Sequence, residues 1–77
     1  MKAVVWSKQN CGQCLQAKNM LKIRGVDIEE RMIDSGPWTK EDLLRVVPDA
    51  RSVPQIFLDE EYIGGFTELK DRLQNVN

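Results

Sequence analysis

Cys11 and Cys14 are the only cysteines in the chain, and Gly12 and Gln13 alone separate them. Three kinds of chemistry use such a pair: a structural crosslink, half of a metal site, or a reversible dithiol–disulfide couple. A crosslink here closes so short a loop that it adds little stability, because the entropic gain grows with the length of chain enclosed. A zinc site wants four nitrogen or sulfur ligands. The chain offers two thiols and no histidine, so one copy cannot build such a site. The absence of histidine also removes Ser-His and Cys-His nucleophile pairs. The redox couple remains, and its behaviour depends on the elements that present the sulfurs.

Those elements can be read from periodicity. Ala3-Val4-Val5-Trp6 is short, β-branched and aromatic, which predicts a buried first strand; Ser7 to Asn10 is then a polar loop. From Gly12 the period changes: Cys14, Ala17 and Leu21 fall at i, i+3 and i+7, with Lys18, Asn19 and Lys22 on the other side. This is an amphipathic helix, and Gly25 suits its C-terminal cap. Val26 to Ile33 alternates at Val26, Ile28 and Met32 and reads as a second strand near an edge. Thr39 offers a helix N-cap, with Asp42 completing a variant capping box, and Pro48 stops that helix after Leu43, Leu44, Val46 and Val47. Gln55 to Leu58 is a third strand. A turn at Asp59-Glu60-Glu61 leads to a fourth strand at Tyr62-Ile63, which Gly64-Gly65 breaks. Thr67 is expected to cap a last helix with Leu69, Leu73 and Val76 as its buried stripe. The order β-α-β-α-β-β-α describes one α/β domain spanning residues 1–77.

On this map Cys11 sits where a helix begins. The thiolate is the nucleophilic form, and free N–H groups and the dipole at a helix N-terminus stabilise it. About 2 kcal/mol of such stabilisation lowers a thiol pKa from ~8.5 to ~7. Lys8, three residues earlier, adds a positive charge. Cys14 lies one turn inside on the apolar side, buried and less ionised. The asymmetry assigns attack to Cys11 and resolution of the mixed disulfide to Cys14.

Composition excludes other functions. Eleven Lys plus Arg against twelve Asp plus Glu leave a formal charge of -1, with no basic footprint for nucleic acid and no polybasic patch for a membrane surface. The longest apolar run, Ala3 to Trp6, falls far below the ~20 residues of a membrane helix and is too short for a secretory signal core. A soluble, cytoplasmic protein is expected. Trp6 and Trp38 are assigned to packing, Asp59-Glu60-Glu61 to a solvated turn, and Asp27, Glu29 and Glu30 to a wet strand face.

The sequence resembles the glutaredoxins. Ser7-Lys8-Gln9-Asn10-Cys11-Gly12-Gln13-Cys14 followed by Ala17-Lys18 is similar to their active-site stretch. Ser52-Val53-Pro54-Gln55-Ile56-Phe57 is similar to their Thr-Val-Pro-Gln-Ile-Phe segment, and Ile63-Gly64-Gly65-Phe66-Thr67-Glu68-Leu69 to their Gly-Gly motif. The three occur in family order across nearly the whole chain. The resemblance implies a thioredoxin-like fold, a four-stranded mixed sheet with three helices on its two faces. It implies a glutathione-dependent thiol–disulfide oxidoreductase that reduces protein disulfides and glutathione mixed disulfides, with no metal or organic cofactor beyond glutathione. Pro54 matches the family's cis-proline beside the cysteines. Val53 would pair with the cysteinyl backbone of glutathione, and Lys8 and Arg51 would meet its glycine carboxylate. Gly65, Thr67 and Glu68 would hold its γ-glutamyl end. Gln13 stands where the family commonly has Tyr, on one wall of the groove. The implied partners are glutathione and disulfide-bearing proteins, ribonucleotide reductase being the family default, and the implied state is a monomer.

Gly12-Gln13 in place of the common Pro-Tyr opens a rival reading. Cys-X-Gln-Cys, with Gly65-Phe66, also resembles glutaredoxin-like redoxins that thioredoxin reductase reduces and that serve ribonucleotide reductase. A different class follows from Gly12: some glutaredoxins without Pro after the first Cys bridge a [2Fe–2S] cluster between two protomers with two glutathiones. A pure binding module is a further alternative, in which Cys11→Ser would leave function intact.

Overall fold

The computed structural model describes residues 1–74. Alternation along β1 (Lys2–Ser7) dictates the layering: Ala3 and Val5 point to one face of the sheet, Val4 and Trp6 to the other. α1 (Gly12–Ile23) follows, then β2 (Asp27–Met32), α2 (Lys40–Val46), β3 (Gln55–Leu58), β4 (Glu61–Gly64) and α3 (Phe66–Gln74). The sheet order is β2-β1-β3-β4, with β1 and β2 parallel and the other two pairs antiparallel. The element order is the one the residue pattern predicts, and the four-stranded mixed sheet with three helices is the one the resemblance implies.

One face is covered by α1 and α3. There Ala3, Val5, Ala17, Leu21, Ile56, Leu58, Leu69 and Leu73 form the main core, flanked by Met20, Val26, Ile28, Ile63 and Phe66. The other face carries a smaller cluster of Trp6, Leu43 and Val47, with Trp38, Val53 and Phe57 packed against it. Trp6 and Trp38 meet edge to face at 5.3 Å, and the Arg31 guanidinium lies 4.3 Å from the Trp38 ring centroid. Both tryptophans are packing residues, as expected.

The local signals act as their chemistry requires. α1 closes in a Schellman motif: Gly25 takes φ +73°, its N–H donates to Lys22 O, and the Val26 N–H donates to Leu21 O at 3.0 Å. Thr39 and Asp42 exchange the two bonds of a capping box at 3.2 and 3.0 Å. The β3–β4 turn places Asp59 and Glu60 both at positive φ, +48° and +71°, the pattern of a type I′ hairpin. The Asp59 carboxylate accepts the Lys2 N–H and ties that turn to β1.

Two expectations need correction. Thr67 does not cap the last helix: α3 begins at Phe66, and the Gly65 carbonyl already accepts the Leu69 N–H at 3.0 Å. Phe66 packs against the main core, which draws the helix start two residues earlier than a Thr67 cap would place it. Asp27, Glu29 and Glu30 do not share one wet face, because Glu30 pairs with Val5 in the register and so lies on the α1 side, whereas Glu29 pairs with Val4. Leu69 and Leu73 are buried as the stripe predicts, and Val76 lies outside the described residues.

Candidate active site

The loop after β1 delivers Cys11 to the N-cap of α1. Asn10 adopts φ +57°, a conformation Asn tolerates better than most residues, and the two carboxylate oxygens of Asp34 accept the Gln9 N–H at 3.2 and 3.1 Å. Cys11 is extended at φ -111°, and its Sγ accepts the backbone N–H of Cys14 at 3.1 Å. A cysteine here takes the role that Ser or Asp plays in an ordinary N-cap. Cys11 is half-buried and Cys14 only 2% exposed. The two are joined as a disulfide with Cα atoms 5.2 Å apart.

The Val53–Pro54 peptide is cis, as expected, and Cys11 Sγ lies 3.9 Å from the Val53 carbonyl oxygen. The Gln55 side-chain amide donates to Ser52 O at 2.9 Å, while its carbonyl oxygen accepts the Tyr62 hydroxyl at 2.6 Å. These two bonds fix the loop that carries Val53 from the β3–β4 side. Burial, reinforced by the Glu68 charge, pushes the Tyr62 hydroxyl pKa up, so it stays a donor.

Two clefts meet at Lys8. One, about 400 Å³, runs along Cys11, Cys14, Leu15, Lys18, Glu30 and Met32. The other, about 230 Å³, is bordered by Lys8, Lys40, Arg51 and Val53, with apolar Ile33 and Leu43 between. Three cations and no carboxylate line this second cleft, and no ion pair among the described residues engages Lys8, Lys40 or Arg51. Such a groove suits an anionic ligand lying beside the cysteines.

The remaining candidates are distributed more widely. A Cβ on Gly65 would lie 3.2 Å from the Pro54 carbonyl oxygen, so the chain passes close beside the cis peptide there. Glu68 folds back and accepts the Gly65 N–H at 2.7 Å, half of a capping box with no N-cap side chain. Thr67 is exposed on the first turn of α3, and Gln13 is exposed on the first turn of α1, bordering neither cleft. Lys40 and Glu30 join the site without having been singled out in the sequence. Period-two counting from Ile28 would have placed Glu30 on the α1 face, whereas nothing in the sequence distinguishes Lys40 from any other first-turn lysine. Among the described residues no cluster of three or more His, Cys, Asp or Glu side chains is placed to hold a metal ion, and no helix is long and apolar enough to cross a membrane.

Comparison with known proteins gives a consistent answer. The family model described as Glutaredoxin matches residues 3–63. Glutaredoxin 3 of Escherichia coli K12 is 34% identical over 65 residues, covering 84% of this chain and 77% of its own. A glutaredoxin of Haemophilus influenzae is 38% identical over 76 residues, covering 91% and 87%. Among solved structures, a buckwheat glutaredoxin–glutathione complex superposes with a TM-score of 0.81 at 25% identity, covering 95% of this chain and 68% of that one.

Proposed function

The chain belongs to the glutaredoxin family, with a thioredoxin-like fold, and from that premise we propose that it is a glutathione-dependent dithiol oxidoreductase. The observation that carries the proposal is Cys11 at the N-cap of α1, its Sγ held by the Cys14 N–H, next to a cationic cleft. In the reduced protein the Cys11 thiolate attacks one sulfur of a substrate disulfide. A Cys11–substrate disulfide forms, the substrate S–S bond breaks, and the departing thiolate takes a proton from solvent. Cys14 gives up its proton to solvent and attacks Cys11 Sγ, releasing the second substrate thiolate. Two electrons have then passed from the dithiol to the substrate.

Glutathione closes the cycle. Its thiolate attacks the exposed sulfur, Cys11, and Cys14 leaves and is protonated. A second glutathione takes the first from Cys11, giving glutathione disulfide and the free dithiol. Lys8, Arg51 and Lys40 would hold the glycine carboxylate, and Val53 would pair with the cysteinyl backbone of glutathione as an added strand does. Gly65, Thr67 and Glu68 would face the γ-glutamyl end, and Gln13, exposed on the first turn of α1 and outside both clefts, would meet glutathione only where the ligand extends beyond them. The buckwheat relative in complex with glutathione supports this ligand. On the same reading the protein works as a cytoplasmic monomer on disulfide-bearing proteins, ribonucleotide reductase being the partner expected from the family.

A second reading, a redoxin fed by thioredoxin reductase, is favoured by one observation. One oxygen of the Glu68 carboxylate, Oε1, already accepts the Gly65 N–H, which makes that oxygen less available to a ligand amine. The deciding experiment is NADPH oxidation coupled through glutathione reductase, with a small glutathione mixed disulfide as substrate. Activity lost in Cys11→Ser and kept in Cys14→Ser supports the proposal. An inactive wild type transfers the assignment to the redoxin and removes the groove roles of Lys8, Arg51 and Glu68.

A further inference from the structure

Opposite the cationic cleft, the other wall of the cysteine cleft is built by Lys18 and Glu30. Glu30 Oε2 accepts two bonds at once, from the Ser7 hydroxyl at 2.6 Å and from Lys18 Nζ at 2.8 Å. Ser7 is 0% exposed and ends β1, so it anchors the carboxylate to the central strand a few residues before Cys11. Burial raises the Glu30 carboxyl pKa, but the bonds from Lys18 and Ser7 and the charges of Lys18 and Lys22 outweigh it and keep the group ionised.

Lys18 is the residue whose charge this arrangement governs. It follows Cys14 by four positions on α1, so the two stack on one helix face. Helical side chains lean toward the N-terminus, which aims the long Lys18 stem back at the cysteine pair. Glu30, reaching across from β2, intercepts its ammonium and makes that wall electrically neutral. The titratable groups facing the cysteines are then Lys8 from the loop, Lys18 from α1 and Glu30 from β2, with Lys22 acting on Glu30 from the next turn.

We infer that Glu30 is a positioning residue: clamped by Ser7, it holds the Lys18 charge off the cysteine pair and so limits how strongly the dithiol is stabilised as thiolate. The inference rests on the reading of Cys11 and Cys14 as a cycling pair and deepens it. A reduced form with a better-stabilised thiolate is the more oxidising couple. The Lys18–Glu30 pair therefore sets the balance between oxidising and reducing behaviour from outside the Cys-X-X-Cys segment.

The test is a thiolate titration of the reduced protein by absorbance at 240 nm, joined to redox equilibration against dithiothreitol. Glu30→Gln preserves shape and leaves Lys18 uncompensated. It should lower the Cys11 pKa by about half a unit, a roughly threefold rise in the thiolate-to-thiol ratio, and make the couple more oxidising. Lys18→Gln leaves the carboxylate uncompensated and should shift both readouts by a similar amount the other way. The double variant removes both charges and should return close to wild type. Unchanged single variants, shifts of the same sign, or a double variant that fails to return would each overturn the inference, because a merely structural pair would not produce opposite signs. If Glu30→Gln fails to fold, Lys18→Gln decides alone: a raised pKa supports the inference, and a lowered or unchanged one overturns it. The titration uses neither glutathione nor substrate, so failure of the glutathione assignment leaves this test standing.

Discussion

The backbone N–H of Cys14 points at the Sγ of Cys11 across 3.1 Å, so the second cysteine of the pair helps to activate the first through its main chain. An N–H donor and the start of α1 both favour the charged form of that sulfur. In the reduced protein Cys11 should titrate below the free-thiol value of ~8.5. Iodoacetamide alkylation as a function of pH checks this. The low-pKa phase should persist in Cys14→Ser, which keeps the N–H, and vanish in Cys11→Ser. A first transition at the free-thiol value would contradict it.

Lys8 borders both clefts, whereas Lys40 and Arg51 border only the cationic one. Each exposed charge contact to a ligand carboxylate is worth about 0.5–1 kcal/mol. Lys40→Gln and Arg51→Gln should therefore each raise KM for a glutathione mixed disulfide roughly two- to fivefold with kcat retained. Lys8→Gln should raise KM and also slow Cys11 alkylation. These effects should shrink as salt screens the groove. A KM that ignores both substitution and salt would exclude the cleft as the glutathione site.

Glu60 is held at φ +71°, where a side chain crowds its own backbone. Glycine adopts that region without penalty, and a left-handed non-glycine residue costs about 1–2 kcal/mol. Part of the gain is lost to the extra freedom of glycine in the unfolded chain, so Glu60→Gly should stabilise the protein by roughly 0.5–1 kcal/mol. For a domain this small that is a rise in Tm of about 3–6 °C, read by calorimetry. Unchanged or lower stability would show that the turn carries no such cost.

The pH dependence of stability should carry the signature of Glu30. Its carboxyl is held below the ordinary value by Lys18 and Ser7 despite the opposing effect of burial. A carboxyl lowered in the folded state adds stability that is present above its unfolded pKa. That stability disappears as the pH falls through the folded value. Glu30→Gln should thus be less stable than wild type at neutral pH, and the gap should close on the acid side. Urea melts at pH 7 and pH 3 give the comparison; an equal gap at both would assign the loss to shape rather than charge.

Much of this molecule was legible in the order of its residues. Gly25, Thr39 with Asp42, and Pro48 end or start helices by local chemistry that needs no partner, so the structure repeats them. Cys11 reaches the N-cap of α1 because a buried strand and a periodic helix leave it nowhere else to sit. Glu30 was hidden for the opposite reason. Its neighbours Asp27 and Glu29 are charged, and only pairing with Val5 in the register reveals that it turns toward α1. Thr67 misled because capping preference is a local signal, and burial of Phe66 outweighed it. Lys40 enters the cationic cleft through the placement of α2 against the sheet, which no nearest-neighbour pattern encodes.

The position of β1 at the centre of the sheet has a consequence for how the protein is made. Its partner β3 is synthesised late: Lys2 and Asp59, which tie the two strands at one end, stand 57 positions apart. A nascent chain can form the β1-α1-β2 unit early, but one edge of β1, with Ala3, Val5 and Trp6 along it, waits for β3 to leave the ribosome. Long-range pairing of this kind folds slowly and leaves an open strand edge in the interval. A chaperone able to cover a single apolar strand should therefore protect the chain during that interval.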